Sequence, residues 1–367
     1  MRPHRLLVLG LLLFTGCFGI ELDVDSKGRL LVTREEGFFT VDPVKKEVKL
    51  VKKADAGTEP VYSRFSPNGK EILTVAKSDF QTFTFATVDV TSGKSTQVLK
   101  VDGAAFTRYS PDGKQLFVVA ASKNDDPGFM SRVPELHLVS LPGGKSKVIA
   151  KKIGTIPRWL PDSKQILVIE ANTKIDDDSF AGNLSLLDVA TGKMTPKAAI
   201  IGKREYAMDV SPDGKKAVVT LLEAGKVGTK LEKSDSTAEA LYEVNLSTGE
   251  TKKLELAPPK YAFYSPNGKS LLMALPSEGF SFDTVSLEVA DASDVSQRQK
   301  IAEAAYPLAL GGEGIVHAGW VSDSQVYYFA QKKVYGIAGK NMQLMLGAVD
   351  GKKRQLLQAM IDQAAFE

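Results

Sequence analysis

Cysteine, histidine and tryptophan are scarce in this sequence. Its 367 residues include one cysteine, three histidines and two tryptophans. A single cysteine excludes an internal disulfide and a cysteine-ligated metal site. Three scattered histidines offer few metal ligands, and the G-x-S-x-G motif of serine hydrolases does not occur. We therefore expect no cofactor, no catalytic metal and no enzymatic activity.

A strong excess of one charge and a membrane-spanning apolar run are also missing. The chain has 47 Lys and Arg against 44 Asp and Glu, a balance that does not indicate a nucleic-acid-binding protein. The apolar run Leu6–Phe14 would rise only about 13–14 Å as a helix, far less than the ~30 Å of a bilayer core. It follows the basic leader MRPHR, and this combination is typical of a secretory signal peptide.

The residues after that run resemble the lipobox of bacterial lipoproteins. Phe14, Thr15 and Gly16 precede Cys17, although leucine is more usual where Phe14 stands. The resemblance implies a signal peptide over residues 1–16, lipidation of Cys17, a short tether over 17–20, and a cell-envelope location at the outer membrane or facing the periplasm. The alternative is an ordinary secretory signal in which Cys17 falls by chance.

One short motif recurs along the rest of the chain. The stretch YSPDGKQLFVVA from Tyr109 has close counterparts from Phe65, Trp159, Val210 and Tyr264. Ser-Pro-Asp-Gly favours a type I turn whose last residue has positive φ, and an apolar strand follows it. A residue other than glycine at that last position should strain the turn by about 1 kcal/mol. The seven turn positions are Gly28, Gly69, Gly113, Ser163, Gly214, Gly268 and Ser324.

Each copy continues with a second hairpin around a Gly-Lys pair, such as VDVTSGKSTQVL at 88–99. Seven sheets of four antiparallel strands, each with two apolar faces, predict an all-β fold, a seven-bladed β-propeller, favoured over six or eight blades. The propeller would span residues 21–367, with blades starting near 21, 62, 106, 156, 206, 261 and 315. The residue before each turn would wedge between blades, and these residues are Val24, Phe65, Tyr109, Trp159, Val210, Tyr264 and Trp320.

The pattern resembles the propeller repeats of TolB, which carry WSPDG and D-x-x-TGK in each blade. Blades of this kind also occur in periplasmic scaffolds and in the gating domains of oligopeptidases. The resemblance therefore implies a fold rather than an activity. We expect a monomeric, non-catalytic platform that binds a protein, a peptide or an envelope glycan and no nucleic acid.

Short turns and long connections should lie on opposite faces of such a ring. The long connections, at 121–135, 170–183, 221–240 and 330–343, form the face on which we expect the partner to bind. Two of them are acidic and could bind Ca²⁺, although neither shows the alternation and glycine turn of a calcium loop. Solvated surface charge is the simpler interpretation of their aspartates, Asp125, Asp126, Asp176, Asp177 and Asp178.

The innermost strands hold a second candidate site. In blade order, the residue before each wedge is Asp23, Arg64, Arg108, Arg158, Asp209, Phe263 and Gly319. One interpretation pairs Asp23 with Arg64 and Arg158 with Asp209 across blades, leaving Arg108 unpaired. Another is an anion site at the mouth of the channel, because arginine suits carboxylates. The rival to a binding platform is a lactonase-like propeller hydrolase with a metal at that mouth, for which Asp23, Asp209 and His317 are the only candidates.

Overall fold

Every copy of the repeat forms its own antiparallel sheet, and in the computed structural model the seven sheets make a seven-bladed β-propeller. The predicted fold class is therefore confirmed. The structure describes residues 23–79, 82–121, 134–153, 157–175, 179–203, 207–233, 238–276, 284–305, 314–331, 342–351 and 354–356. Within these ranges no helix has the length and apolar character needed to cross a membrane.

The first three blades each consist of four consecutive strands, ordered from the channel outwards. Their bounds are β1 (Asp23–Val24), β2 (Leu30–Arg34), β3 (Gly37–Asp42) and β4 (Glu47–Lys53) in blade one; β5 (Glu59–Phe65), β6 (Glu71–Lys77), β7 (Thr82–Asp89) and β8 (Ser95–Asp102) in blade two; and β9 (Ala104–Tyr109), β10 (Gln115–Ala121), β11 (Pro134–Ser140) and β12 (Lys145–Lys151) in blade three.

The remaining four blades follow the same order, with one additional strand, β19. Their bounds are β13 (Arg158–Trp159), β14 (Gln165–Lys174), β15 (Ser179–Asp188) and β16 (Met194–Lys203) in blade four; β17 (Met208–Val210), β18 (Lys216–Leu221), β19 (Glu223–Gly225), β20 (Ala240–Asn245) and β21 (Thr251–Lys253) in the blade five segment; β22 (Ala262–Tyr264), β23 (Ser270–Pro276), β24 (Thr284–Asp291) and β25 (Arg298–Ala305) in blade six; and β26 (Gly314–Ser322), β27 (Gln325–Gln331), β28 (Met342–Ala348) and β29 (Arg354–Leu356) in blade seven.

Two of the predicted long connections are partly strand. Strand β19 leaves blade five and pairs antiparallel with β16, where it becomes the fifth strand of blade four. The connection predicted at 170–183 is mostly an extended hairpin, because β14 and β15 pair as far as Lys174 and Phe180. The prediction of irregular loops was wrong at these places because backbone pairing continues through residues that are mostly polar or small, which the sequence pattern does not mark as strand.

The glycine turns have the predicted geometry. The N–H of Gly69 donates to the carbonyl of Ser66 at 2.8 Å, and Gly69 has a φ of +65°. Ser163 keeps a positive φ of +59° without glycine, as expected, and its hydroxyl accepts the N–H of Asp112 in the preceding blade at 3.0 Å. Ser324 is different: its φ is not positive, because the turn of blade seven shortens to two residues between a Ser322–Gln325 pair.

The residues before the turns do pack between blades. Trp159 donates its indole N–H to the carbonyl of Arg108 at 3.3 Å, and Trp320 donates to the carbonyl of Phe263 at 3.0 Å. In both cases the acceptor lies in the preceding blade. Val24 of blade one packs into a cluster with Tyr327 and other residues of blade seven, which closes the ring. The inner strands thus line a channel at fixed positions.

Candidate functional site

Two aspartates of the inner strands connect neighbouring blades. Asp23 accepts the backbone N–H of Phe65 in blade two at 2.6 Å, and Asp209 accepts the backbone N–H of Tyr264 in blade six at 2.9 Å. In each case the carboxylate satisfies the amide of the wedge residue that follows it around the ring. A structural role therefore accounts for both aspartates.

Arginines stand at the same inner-strand position in blades two, three and four, and they cannot accept an N–H. Their guanidinium carbons converge on the ring of Phe106, at 5.9 Å for Arg64, 5.4 Å for Arg108 and 5.6 Å for Arg158. These distances are within the range of cation–π contact. We call Asp23, Arg64, Arg108, Arg158 and Asp209, together with the Phe106 ring, the channel cluster.

The structure supports one of the two predicted ion pairs and not the other. Arg158 Nε lies 3.5 Å from Asp209 Oδ1, and Arg158 also donates to the carbonyl of Pro157 at 3.2 Å. Asp23 and Arg64 do not pair. The Asp23 carboxylate is directed to the Phe65 amide, and Arg64 lies over the aromatic rings of Tyr62, at 5.6 Å, and Phe106.

Arg108 occupies the centre of the channel cluster. Its positive charge lowers the pKa of both Asp23 and Asp209, although burial dominates at each. Its Nε is buried and has no hydrogen-bond partner in the described part of the chain. The Tyr62 hydroxyl is also buried without a hydrogen-bond partner in that part of the chain. Burial raises the pKa of Tyr62, and the charge of Arg108 opposes this rise. The centre of the cluster therefore contains polar hydrogens for which the described residues provide no acceptor.

Sequence reasoning missed Tyr327, which belongs to the second strand of blade seven. A Cβ placed on Gly319 would lie 2.5 Å from the Tyr327 hydroxyl, so the ring fills the space that a side chain at position 319 would take. Burial and the nearby Asp23 raise the pKa of Tyr327, while Arg64 and Arg108 oppose that shift. The one available signal in the sequence was a glycine at a position where the six other blades carry a charged residue or an aromatic ring.

Burial dominates the electrostatics of the channel cluster. It raises the pKa of the Asp23 carboxyl from 3.8 to about 6, against the lowering effect of Arg108 and the Phe65 amide. Burial and the neighbouring Arg108 hold the pKa of Arg64 well below its usual range. Water still reaches part of the cluster, because 22% of the Asp209 side chain is exposed. Three arginines against two aspartates leave excess positive charge, which favours an anion there.

The cluster does not suit a metal ion. Within the described ranges, no three His, Cys, Asp or Glu side chains come together as a metal site. Asp23 and Asp209 each already accept a backbone N–H, and the guanidinium groups around them would repel a cation. For His317 the structure gives only its place in β26. Cys17 and the acidic residues Asp125, Asp126, Asp176, Asp177 and Asp178 lie outside the described residues.

Comparisons with known proteins show similarity of fold. No family model and no curated protein matches this chain. Among solved structures, an oligogalacturonate lyase in complex with manganese is similar with a TM-score of 0.60 and 14% identity, over 91% of this chain and 87% of that one. An acylaminoacyl peptidase from Pyrococcus horikoshii has a TM-score of 0.60 and 15% identity, over 94% of this chain and 53% of that one.

A TolB from Acinetobacter baumannii is also among the similar structures, with a TM-score of 0.48 and 17% identity over 73% of this chain. This chain spans 60% of that TolB and 53% of the peptidase. The similarity to the lyase and the peptidase, each with a TM-score of 0.60, agrees with the propeller fold described above.

The expectation that the protein is not an enzyme was wrong in its reasoning. The comparisons include an oligogalacturonate lyase and peptidases, which are enzymes, and the similarity to the lyase covers nearly the whole of both chains. A propeller without a familiar catalytic motif is thus no argument against catalysis. At 13–17% identity these comparisons establish the fold, and the chemistry has to be argued from the site.

Proposed function

We propose that the protein binds a carboxylate-bearing saccharide in its central channel, with Arg64, Arg108 and Arg158 as the carboxylate-binding groups. One observation carries the proposal: three guanidinium groups converge on Phe106, and the Nε of Arg108 has no partner in the described chain. A buried guanidinium N–H without a hydrogen-bond partner is costly, and a bound carboxylate would satisfy the Nε of Arg108.

The aromatic ring at the centre fits the same class of ligand. Phe106 presents an apolar surface beside the cations and stacks on Phe117 with ring centroids 5.9 Å apart. A sugar acid offers both parts of a matching ligand, since its ring carbons are apolar and its carboxylate is charged. An oligogalacturonate, the substrate class named for the similar lyase, has a carboxylate on every sugar.

The test is a calorimetric titration with a short oligogalacturonate and with the neutral galacto-oligosaccharide of the same length. We expect the acidic ligand to bind and the neutral one to bind far more weakly. Arg108→Ala should weaken binding of the acidic ligand about 10- to 100-fold, the range for a hydrogen bond to a charged group. Lys215→Ala removes one exposed positive charge as a matched control, and it should leave the affinity unchanged. Equal affinity for both ligands would contradict the proposal.

A second candidate is that the channel cluster acts on the bound acid. The observation that favours it is the raised pKa of Asp23, about 6, beside Arg108. A carboxylate with a pKa near the working pH suits general-base catalysis. Arginines that neutralise a uronate carboxylate would acidify the adjacent C5–H. Asp23 would take that proton, the C4–O bond to the neighbouring sugar would break as the C4–C5 double bond forms, and water would protonate the departing sugar oxygen. The measurement is the release of an unsaturated sugar acid, followed by its ultraviolet absorbance with and without added manganese. We expect this release in the wild-type protein and not in Asp23→Asn.

The cellular setting is part of the same proposal. The motif around Cys17 supports an exported lipoprotein held at the cell envelope, on the outer membrane or facing the periplasm. The face of the ring that carries the long connections, which we call the long-loop face, remains the proposed contact for a protein partner. Radiolabelled fatty acid should be incorporated by the wild-type protein and not by Cys17→Ala.

A further inference from the structure

Blade two differs from the other blades at one cross-strand position. Thr74 pairs with Ala86, and both lie on the side of blade two that contacts blade one. In the other blades the corresponding pairs are larger, and they are Val32–Phe39, Val118–His137, Val168–Ser185, Val219–Tyr242, Met273–Glu288 and Tyr328–Met345. Smaller side chains therefore stand at this position in the seam between blades one and two, in the half of the ring where the long connections lie.

A cavity of about 220 Å³ lies in this seam. Blade one contributes Phe38, Lys52 and Ala54, and blade two contributes small residues that include Thr84 and Ala86. The volume would hold about seven waters at ~30 Å³ each, and it is smaller than the ~300–1,000 Å³ of sites for drug-sized ligands. The occupant must therefore be compact.

The polar groups around the cavity carry no net charge. Lys52 Nζ and Asp55 Oδ2 are 2.6 Å apart, so the two charges at its edge neutralise each other. The Thr74 hydroxyl already donates to the Ala86 carbonyl. The Thr84 hydroxyl and the Gln97 amide line the cavity, and neither forms a hydrogen bond in the described chain. Each of these two groups can both donate and accept.

We propose that this cavity binds one uncharged sugar unit, separately from the channel cluster. A pyranose is compact, has apolar ring faces that match Phe38, Ala54 and Ala86, and has hydroxyls that can both donate and accept. A charged ligand fits less well, because the only ionic groups at the edge are already paired. The position of the cavity, on the long-loop half of the ring, leaves the rest of a glycan chain free to continue outside the protein.

The test uses glucose, galactose and N-acetylglucosamine as neutral probes and glucosamine and galacturonate as charged ones, with binding followed by ligand-observed NMR. The charged probes are measured on Arg108→Ala, because the channel proposed above would itself bind galacturonate in the wild-type protein. At least one neutral probe should bind, with millimolar affinity typical of so small a ligand. Thr84→Val keeps the shape of the side chain and removes its hydroxyl, and it should weaken binding about tenfold. Thr96→Val, an exposed threonine on β8, is the matched control and should change nothing.

A cavity-filling variant gives a second, independent measurement. Ala86→Leu should abolish binding without lowering the melting temperature, because the added carbons occupy existing space. If that variant fails to fold, Thr84→Val still decides. Binding of no neutral probe to the wild-type protein, or unchanged binding in Thr84→Val, overturns the proposal. Arg108→Ala should leave neutral-sugar binding intact, which separates this cavity from the channel.

Discussion

The carboxylate of Asp23 accepts the backbone N–H of Phe65 at 2.6 Å, across the seam between the first two blades. The same carboxylate lies in the field of Arg108 and Tyr327 inside the channel. A residue that holds two blades together is thus also a group of the channel cluster whose pKa, about 6, lies near neutrality. Protonation of the Asp23 carboxylate should therefore change both the stability of the fold and the affinity of the channel for a ligand.

The first prediction concerns stability and pH. Because burial raises the pKa of Asp23 from 3.8 to about 6, the native protein binds a proton there that the unfolded chain has already released. Stability should therefore fall as pH rises from about 4 to about 6, by at most about 3 kcal/mol, and then level off. Urea unfolding at a series of pH values should show this slope in the wild-type protein and not in Asp23→Asn. Identical slopes would contradict the assignment.

The second prediction concerns anion binding over the same pH range. Protonation of Asp23 removes a negative charge from a cluster that also contains Arg64, Arg108, Arg158 and Asp209, so the excess positive charge grows. Affinity for an acidic oligosaccharide should increase as pH falls through about 6. Titration calorimetry with Asp23→Asn should give an affinity that is nearly constant across this interval. An unchanged pH dependence in that variant would place the titrating group elsewhere.

The third prediction separates two arginines. Arg158 pairs with Asp209 and donates to a backbone carbonyl, so Arg158→Ala leaves buried partners unsatisfied and should cost about 2–4 kcal/mol. The Nε of Arg108 has no partner in the described chain, so Arg108→Ala should cost less stability while it weakens anion binding. Melting temperatures and calorimetry on both variants make the comparison. Equal losses of melting temperature would count against it.

The fourth prediction is steric and concerns Gly319. An alanine Cβ there would lie 2.5–2.7 Å from the hydroxyl and ring carbons of Tyr327. Gly319→Ala should destabilise the fold by about 1–3 kcal/mol, the usual cost of overpacking. In a Tyr327→Leu background the same substitution should cost clearly less, because the ring tip is gone. Additive losses in the double variant would show that Tyr327 does not occupy this space.

The fifth prediction weighs two opposing effects at Ser163. Its φ of +59° favours glycine by about 1 kcal/mol, but its hydroxyl accepts the Asp112 N–H at 3.0 Å, which contributes a similar amount. Ser163→Gly should therefore be nearly neutral. Ser163→Ala keeps the strain and loses the hydrogen bond, so it should cost about 1 kcal/mol. Chemical unfolding of the two variants side by side makes the measurement, and a larger loss in the glycine variant would reverse the interpretation.

Much of the fold could be predicted from local chemistry. The turn at Gly69 requires a positive φ, an apolar strand follows it and a wedge residue precedes it. Because this pattern recurs seven times along the chain, its spacing predicts seven blades. The aromatic wedges were predictable from the same repeat, because Trp159 and Trp320 each stand at the position just before a turn. Ser324 departs from the pattern because its turn is shorter, a change that one serine does not reveal.

The site was less predictable because its contacts are not local. The inner-strand position identifies Arg64, Arg108 and Arg158, but nothing in the sequence shows that all three converge on Phe106. Tyr327 reaches the cluster from a second strand of the last blade, through space that Gly319 leaves open. The cavity beside Thr84 depends on the combined small size of residues on two strands, which becomes visible once the register is known.

Among the described residues, the first and last blades meet through side-chain packing, with Val24 beside Tyr327 and Leu346. At each of the other six seams the two blades are consecutive in the sequence, so the segment that joins them limits how far they can separate. The Val24 seam has no such link among its described strands, and we therefore expect the ring to open there first. Backbone amides beside the Val24 seam should exchange with solvent faster than the amides at the same positions of the other six seams. Unfolding would then begin at this seam.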